Sequence, residues 1–542
     1  MARKQWLTWS IALVLGGVGS TVIAADTTLS IQRPGPVYPL KLDEQDLVTN
    51  AEAVIPPQCY TRFFGKFNPC YTCHQTYDDR SRPNQMRDGR LQAAYNFSDA
   101  ALTNHWSNLF LDRSKEIAAI DDAEILSWIE SENYTSLRPR LEADGWSGWL
   151  PDLDNLHLAD KAFDDQGFAL DGSGWVAFNY KPLPSTFWPT NGSTDDVMIR
   201  LPEPFRQSED GTPSRDVYMA NLAALEMAIQ DVDMVSTPAI NELTLDTDLD
   251  GDGGLSIATM IQRPETYFGA ASEVPLARML YPEGTQFLHS VRYVGVEDDE
   301  IVVPARMKEL RYMQKIRFYD PAQLRSLYDN ERQKKTDELL PRFVNQGDRG
   351  LDGGMGWLIQ GFIEDQTGEL RPQSYEETAF CMGCHGTIGA TIDQTFAFPR
   401  KVAGAAGWGY IDLKGMVDVP NVGETEGEIL TYLRRAGGGN EFRENPEMQS
   451  RWFKGDDTVD ADKVQSTDVY GLITPSVERA LELNKAYKVI VDEQSYLFGR
   501  DAVLAPFTNV FDVIDDAKAP TLPKAFRAKW DIRLNWEGKG AS

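Results

Sequence analysis

Four of the five cysteines and two of the five histidines fall into two copies of one pentapeptide, Cys70-Tyr71-Thr72-Cys73-His74 and Cys381-Met382-Gly383-Cys384-His385. This C-x-x-C-H spacing is the attachment pattern of a c-type haem. Two thiols three positions apart lie on one side of a helical turn, where each can form a thioether with one haem vinyl group. The adjacent His then approaches the iron from one face as the proximal ligand. Paired C-x-x-C sequences also suit zinc, and a single one suits a thioredoxin-like redox pair. Zinc does not require His directly after both second cysteines, and a thioredoxin does not require a second motif so far along the chain. The residues therefore predict two covalently bound haem c groups, with His74 and His385 as proximal ligands.

The distal ligands have four candidates. Around His105, Ser98 as N-cap and Leu102, His105, Trp106 and Leu109 on one face predict a helix that closes over the first haem. A hydrogen-bonded core histidine is the alternative. His289 sits in an alternating stretch with Phe287, Val291 and Tyr293, which predicts a strand. His157 reads as a loop residue and a weaker candidate. Met416 precedes a helix predicted over 426–436 and closed by Gly437-Gly438-Gly439; core filling is its alternative use. Cys59 is the odd thiol: a buried apolar side chain, half of an intermolecular disulfide, or a thiolate ligand.

In its two motifs and their flanks the chain resembles c-type cytochromes. The resemblance implies covalent haem and assembly outside the cytoplasmic membrane. It departs from the dihaem cytochrome c peroxidases, whose motifs lie much closer together. The expected function is that of an exported dihaem cytochrome passing electrons to another redox protein. The alternatives are a peroxidase-like dihaem oxidoreductase with one catalytic haem, and a calcium-bound haem scaffold in a larger assembly.

A second metal pattern begins at Asp248. Asp248, Asp250 and Asp252 stand at alternate positions, Gly253 supplies a sharp turn, the Gly254 carbonyl follows, and Ser256 can bring a water. This predicts a calcium loop, although Thr259 stands where an EF-hand has its bidentate Glu; Glu265 is a substitute. A metal-free acidic turn is the alternative.

The elements that must position these groups are less plainly written. Residues 1–24 read as a signal peptide, with an uncleaved anchor as the competing reading. Beyond them no run is long enough to span a bilayer, so the mature chain is expected to be exported to the periplasm, or outside the cell, without a permanent membrane anchor. A formal charge of −29 over 542 residues argues against a nucleic-acid partner. Ser214 caps a predicted helix bearing Tyr218, Leu222, Leu225 and Ile229. A hairpin is expected between 286 and 303, turning at 297–300. A helix over 305–318 would carry Arg306, Lys308, Arg311, Lys315 and Arg317, available to haem propionates or as a solvated face. The expected fold is mixed α+β and multidomain: an N-terminal haem region (25–180), a middle α/β insert with the calcium loop (181–340) and a C-terminal haem domain (341–542), both haem regions mainly helical.

Overall fold

Short apolar alternations, rather than helical repeats, build the centre of the molecule. In the computed structural model, residues 50–537 are described, except 63–68, 85, 94–96, 185–186, 342, 437–443, 516 and 518–520. The expected signal peptide and the glycine run at 437–439 lie outside the described residues. In chain order the strands are β1 Val176–Ala177, β2 Thr194–Arg200, β3 Met234–Asn241, β4 Ile257–Gln262, β5 Gln286–Arg292 and β6 Gly295–Glu297. They continue with β7 Glu300–Val302, β8 Met307–Lys315, β9 Val344–Asn345, β10 Leu351–Asp352, β11 Trp357–Glu364 and β12 Leu370–Pro372. Eight of them form one antiparallel sheet in the order β1-β2-β5-β8-β11-β10-β9, with β12 on the side of β11; β3–β4 and β6–β7 are separate pairs.

Because side chains alternate across a sheet, register fixes what each face presents. One row runs Val197, His289, Arg311, Gly361, and the next runs Ile199, Phe287, Met313, Ile359. The opposite face carries Met198, Leu288, Leu310, Tyr312 and Phe362, which pack on Leu153, Leu156 and Trp175. Both faces are covered, which is why β8 and β11 are buried along nearly their whole length.

This sheet overturns the expected pair of mainly helical haem regions flanking an α/β insert. Around the first motif the backbone makes only short 3-10 turns, among them Pro69–Thr72, Gly89–Ala93, Asp99–Ala101 and Ser107–Phe110. Ser98 makes no side-chain capping bond there, so His105 lies between two turns rather than on a helix. The second motif does close a helix, Tyr375–Met382, opened by a Ser374–Glu377 capping box. The helix expected over 305–318 is strand β8. Its Lys, Glu, Leu, Arg and Met residues favour helix intrinsically, but pairing with β5 and β11 on either side decides the outcome. The expected turn at 297–300 forms, with Asp298 and Asp299 at positive φ, but it joins β6 to β7, while β5 pairs with β2 and β8. The helix Arg215–Gln230 matches expectation, with Ser214 accepting from the Val217 N–H.

Candidate functional site

Each pentapeptide folds into the same turn. The His74 N–H donates to the Cys70 carbonyl at 2.7 Å and the Cys73 N–H to that carbonyl at 3.2 Å; in the second motif the matching distances to Cys381 are 2.9 and 3.2 Å. All five cysteines are free thiols. The two motifs, far apart in the chain, line one cavity of about 430 Å³ with mostly apolar walls. They also touch. The Ala390 N–H donates to the Cys73 carbonyl at 3.1 Å, and Asn84 Nδ2 donates to the Thr391 carbonyl at 2.6 Å. Thus the segment following the second motif stacks on the first.

Each imidazole is held by its Nδ1. His74 Nδ1 lies 3.0 Å from Asp88 Oδ2, and His385 Nδ1 lies 3.0 Å from the Gln394 carbonyl. A carbonyl only accepts, so His385 Nδ1 carries its proton and Nε2 the lone pair; the carboxylate favours the same tautomer at His74. This is the arrangement that orients a metal-binding imidazole and raises its basicity. Burial works against the Asp88 charge, yet His74 and Lys335 beside it hold its pKa below the usual carboxylate value. Its other oxygen accepts the Gly389 N–H at 3.1 Å, so Asp88 ties His74 to the loop after His385. Burial pushes the His385 pKa down to about 4, leaving the ring neutral at physiological pH. The Phe396 ring meets it edge-on with centroids 5.5 Å apart.

The Gln394 carbonyl is aimed by a tight turn. Ile392 and Thr395 exchange backbone hydrogen bonds, and between them Asp393 and Gln394 take φ of 45° and 63°. Positive φ at both central residues belongs to the mirror-image hairpin turn, which prefers Asn-Gly or Asp-Gly. For L-residues such as these it costs about 1–2 kcal/mol each.

The sheet supplies the opposite wall. His289 lines the cavity, with its Nε2 buried and without a hydrogen-bond partner, 3.5 Å from Asp195 Oδ2. The Tyr180 hydroxyl donates to that same oxygen at 2.7 Å. Arg311 is buried beside the second motif. Its Nε donates to Glu309 at 2.9 Å, and Arg500 braces the other Glu309 oxygen at 3.0 Å. Of the rest of the expected basic face, Arg306, Lys308 and Lys315 are likewise internal, Arg306 pairing with Glu364 and Lys315 with Asp393, whereas Arg317 is exposed.

The other candidates lie elsewhere. His105 is 41% exposed and faces Glu52 at 3.4 Å. Met416 is packed in the core, and neither residue lines the cavity. His157 sits beside Leu156 behind the sheet, where its carbonyl accepts from Arg292. Cys59 lines the cavity, and burial next to Cys70 and Cys384 raises its pKa. Burial also raises Cys384 to about 11. Among the described residues no cysteine belongs to a group of three close potential metal ligands, which disfavours a zinc site. Asp88, Asp195 and Gln394 went unread in the sequence because nothing local marks them; each is brought in by tertiary contact.

At the acidic loop, Glu242, Asp248 and Asp250 bring ligand oxygens within 4.8 Å of one another. Asp252 instead accepts the Gly254 N–H at 2.7 Å, and the Ser256 N–H donates to Glu242 at 2.7 Å. Glu242 precedes the loop, outside the spacing the motif inspects, and Glu265 is not part of the group.

A family model described as a "-like lipoprotein" matches residues 43–470. An uncharacterized lipoprotein of Aquifex aeolicus (strain VF5) is 31% identical over 511 residues, covering 83% of this chain and 86% of the relative. No solved structure matches. These findings overturn the expected kinship with c-type cytochromes, since both pentapeptides lie inside the stretch matched by the lipoprotein family. With it go the electron-transfer function, its peroxidase-like alternative and the redox protein partner, none of which the family match indicates. The expected absence of a permanent membrane anchor is overturned as well, because a lipoprotein family implies a lipid anchor. Among the described residues no helix is long and apolar enough to cross a membrane. The chain belongs to this lipoprotein family, whose members are exported and envelope-associated.

Proposed function

We propose that this envelope protein is a haem-holding protein with two covalently attached haems in one cavity. Cys70 and Cys73 would hold one by thioethers and Cys381 and Cys384 the other, with His74 and His385 as the imidazoles that would bind iron. The observation that carries the reading is the repeated geometry: two identical turns open on one cavity, each with its histidine tied at Nδ1. When bound, a haem would supply an iron whose electronic state is tuned by the protein groups around it. The chain's own residues favour one tautomer at both imidazoles, wall the site with apolar groups and leave the buried, unpaired Nε2 of His289 on the facing sheet as a group that would bind iron from the cavity. Attachment of this kind places the protein on the periplasmic side of the cytoplasmic membrane. The test is the pyridine haemochrome spectrum of the purified full chain, made in a host that attaches haem covalently. Two haems per chain that resist acid–organic extraction are expected; extractable haem, or none, overturns the reading.

A second binding function is supported by the acidic loop, where Glu242 completes a set with Asp248 and Asp250. Calcium held there stabilises the native state by roughly 2.7 kcal/mol at a hundredfold excess over its Kd. Chelation lowers the melting temperature, and Asp250→Ala removes that sensitivity. Equal melting with and without chelator contradicts the calcium site.

A further inference from the structure

We infer that Lys315 and Asp393 are positioning residues for His385, acting through the backbone carbonyl of Gln394; the inference rests on the proposed haem at Cys381 and Cys384. The turn that aims this carbonyl is conformationally unfavourable, because neither Asp393 nor Gln394 is a glycine and both take positive φ. Relaxing these φ angles would rearrange the turn and carry the Gln394 carbonyl away from His385 Nδ1. Something must hold the turn in place, and Asp393 is held from three sides. Lys315 Nζ, at the end of β8, donates to both carboxylate oxygens at 2.6 and 2.7 Å. The Tyr281 N–H reaches Oδ2 at 3.0 Å, and Trp357 Nε1, opposite Lys315 on β11, reaches Oδ1 at 3.3 Å.

The ion pair is fully buried, and a buried pair is a poor source of net stability compared with apolar packing. Its use here is geometric. It anchors the middle of the turn to the central sheet, so the acceptor that sets the ring orientation and basicity of His385 moves only if the sheet moves. Loss of the clamp loosens the Nδ1 hydrogen bond, makes the imidazole a weaker donor and favours ferrous iron.

The experiment is a potentiometric titration of the loaded full chain with Asp393→Asn, the double variant Lys315→Met/Asp393→Asn, and Asp88→Asn. Asp88→Asn identifies the transition belonging to the His74 haem. The expected result is an upward shift of the other transition alone in Asp393→Asn, with both haems still attached by mass. The double variant leaves no uncompensated charge, so it reports even where the single variant fails to fold, and it is expected to show the same shift. Wild-type potentials in both clamp variants, or equal shifts of both transitions, overturn the positioning role. A wild-type chain without haem on Cys381 and Cys384 overturns the reading beneath it instead.

Discussion

The two pentapeptides make the same hydrogen-bonded turn, but they are mounted differently. The first sits in a single 3-10 turn and leans on a buried carboxylate, Asp88. The second closes a capped helix whose Glu377 is gripped by Arg371 at 2.8 and 2.9 Å. Its histidine leans on a neutral carbonyl aimed by a strained turn. The five-residue motif thus encodes a local conformation, while the charge of the group behind each imidazole is set outside the motif, 14 residues on at Asp88 and 9 residues on at Gln394. An anionic partner makes an imidazole more basic than a neutral one does, so the two histidines are held by unequal partners.

The largest effects come from breaking one site at a time. Cys73→Ala or Cys384→Ala leaves a single thioether and weakens covalent attachment at its own site only, read as a lower haem content on that site's peptide; weakening at both sites in either variant contradicts two separately built sites. Next in size is Asp88→Ala, which strips a charged partner from His74 and Lys335 and leaves the Gly389 N–H unsatisfied. A hydrogen bond to a charged group is worth about 1.5–3 kcal/mol, measurable by chemical denaturation. Lys335→Met, at the partly exposed end of the same cluster, costs at most about 1 kcal/mol.

Close approach of backbone gives a smaller, paired test. A Cβ at Gly389 would stand 2.5 Å from Asp88 Oδ1 and 2.7 Å from the Gln75 carbonyl, and one at Gly383 2.6 Å from Pro56 Cδ and from the Val54 carbonyl. Each Ala variant is expected to cost about 1–3 kcal/mol by overpacking. Gly389→Ala disturbs the first site through Asp88, and Gly383→Ala disturbs the second through its own turn. Identical spectral changes in the two variants contradict that division.

The gentlest probe is acid. Burial disfavours the Glu309 charge, but Arg311 and Arg500 outweigh it and hold the pKa down to about 2. A carboxylate depressed from its usual value near 4.5 contributes stability that is complete above that pH and is lost as pH falls toward 2, at about 1.4 kcal/mol per unit. Arg500 also donates to the Glu377 carbonyl at 2.6 Å, on the second motif's helix. Glu309→Gln is therefore expected to flatten the decline in melting temperature below pH 4.5. An unchanged slope sinks the assignment.

Much of the site's chemistry was legible in the residues, and little of its assembly. The motifs announce thiols and imidazoles on one turn, and the alternation around His289 correctly predicts a strand. Nothing local says that Cys73 and Ala390 are hydrogen-bonded neighbours or that Asp88 serves His74. Those contacts follow from sheet order and loop packing, which no short window contains. The difference at 305–318 has a similar origin: charged residues suggested a solvated helix, whereas Arg311 and Lys315 are buried in a strand, Arg311 paired with Glu309 of that same strand and Lys315 with the distant Asp393. Around His105 an apparent helical face dissolves into short turns. The resemblance to cytochromes failed for another reason, since ten residues of shared motif do not determine kinship across a chain of this length.

The most direct measurement is the intact mass of the mature, denatured full chain produced with covalent haem attachment available, followed by peptide mapping. Two added haem masses are expected, one on the peptide containing Cys70 and Cys73 and one on that containing Cys381 and Cys384. A chain with unmodified thiols at either pair contradicts the account.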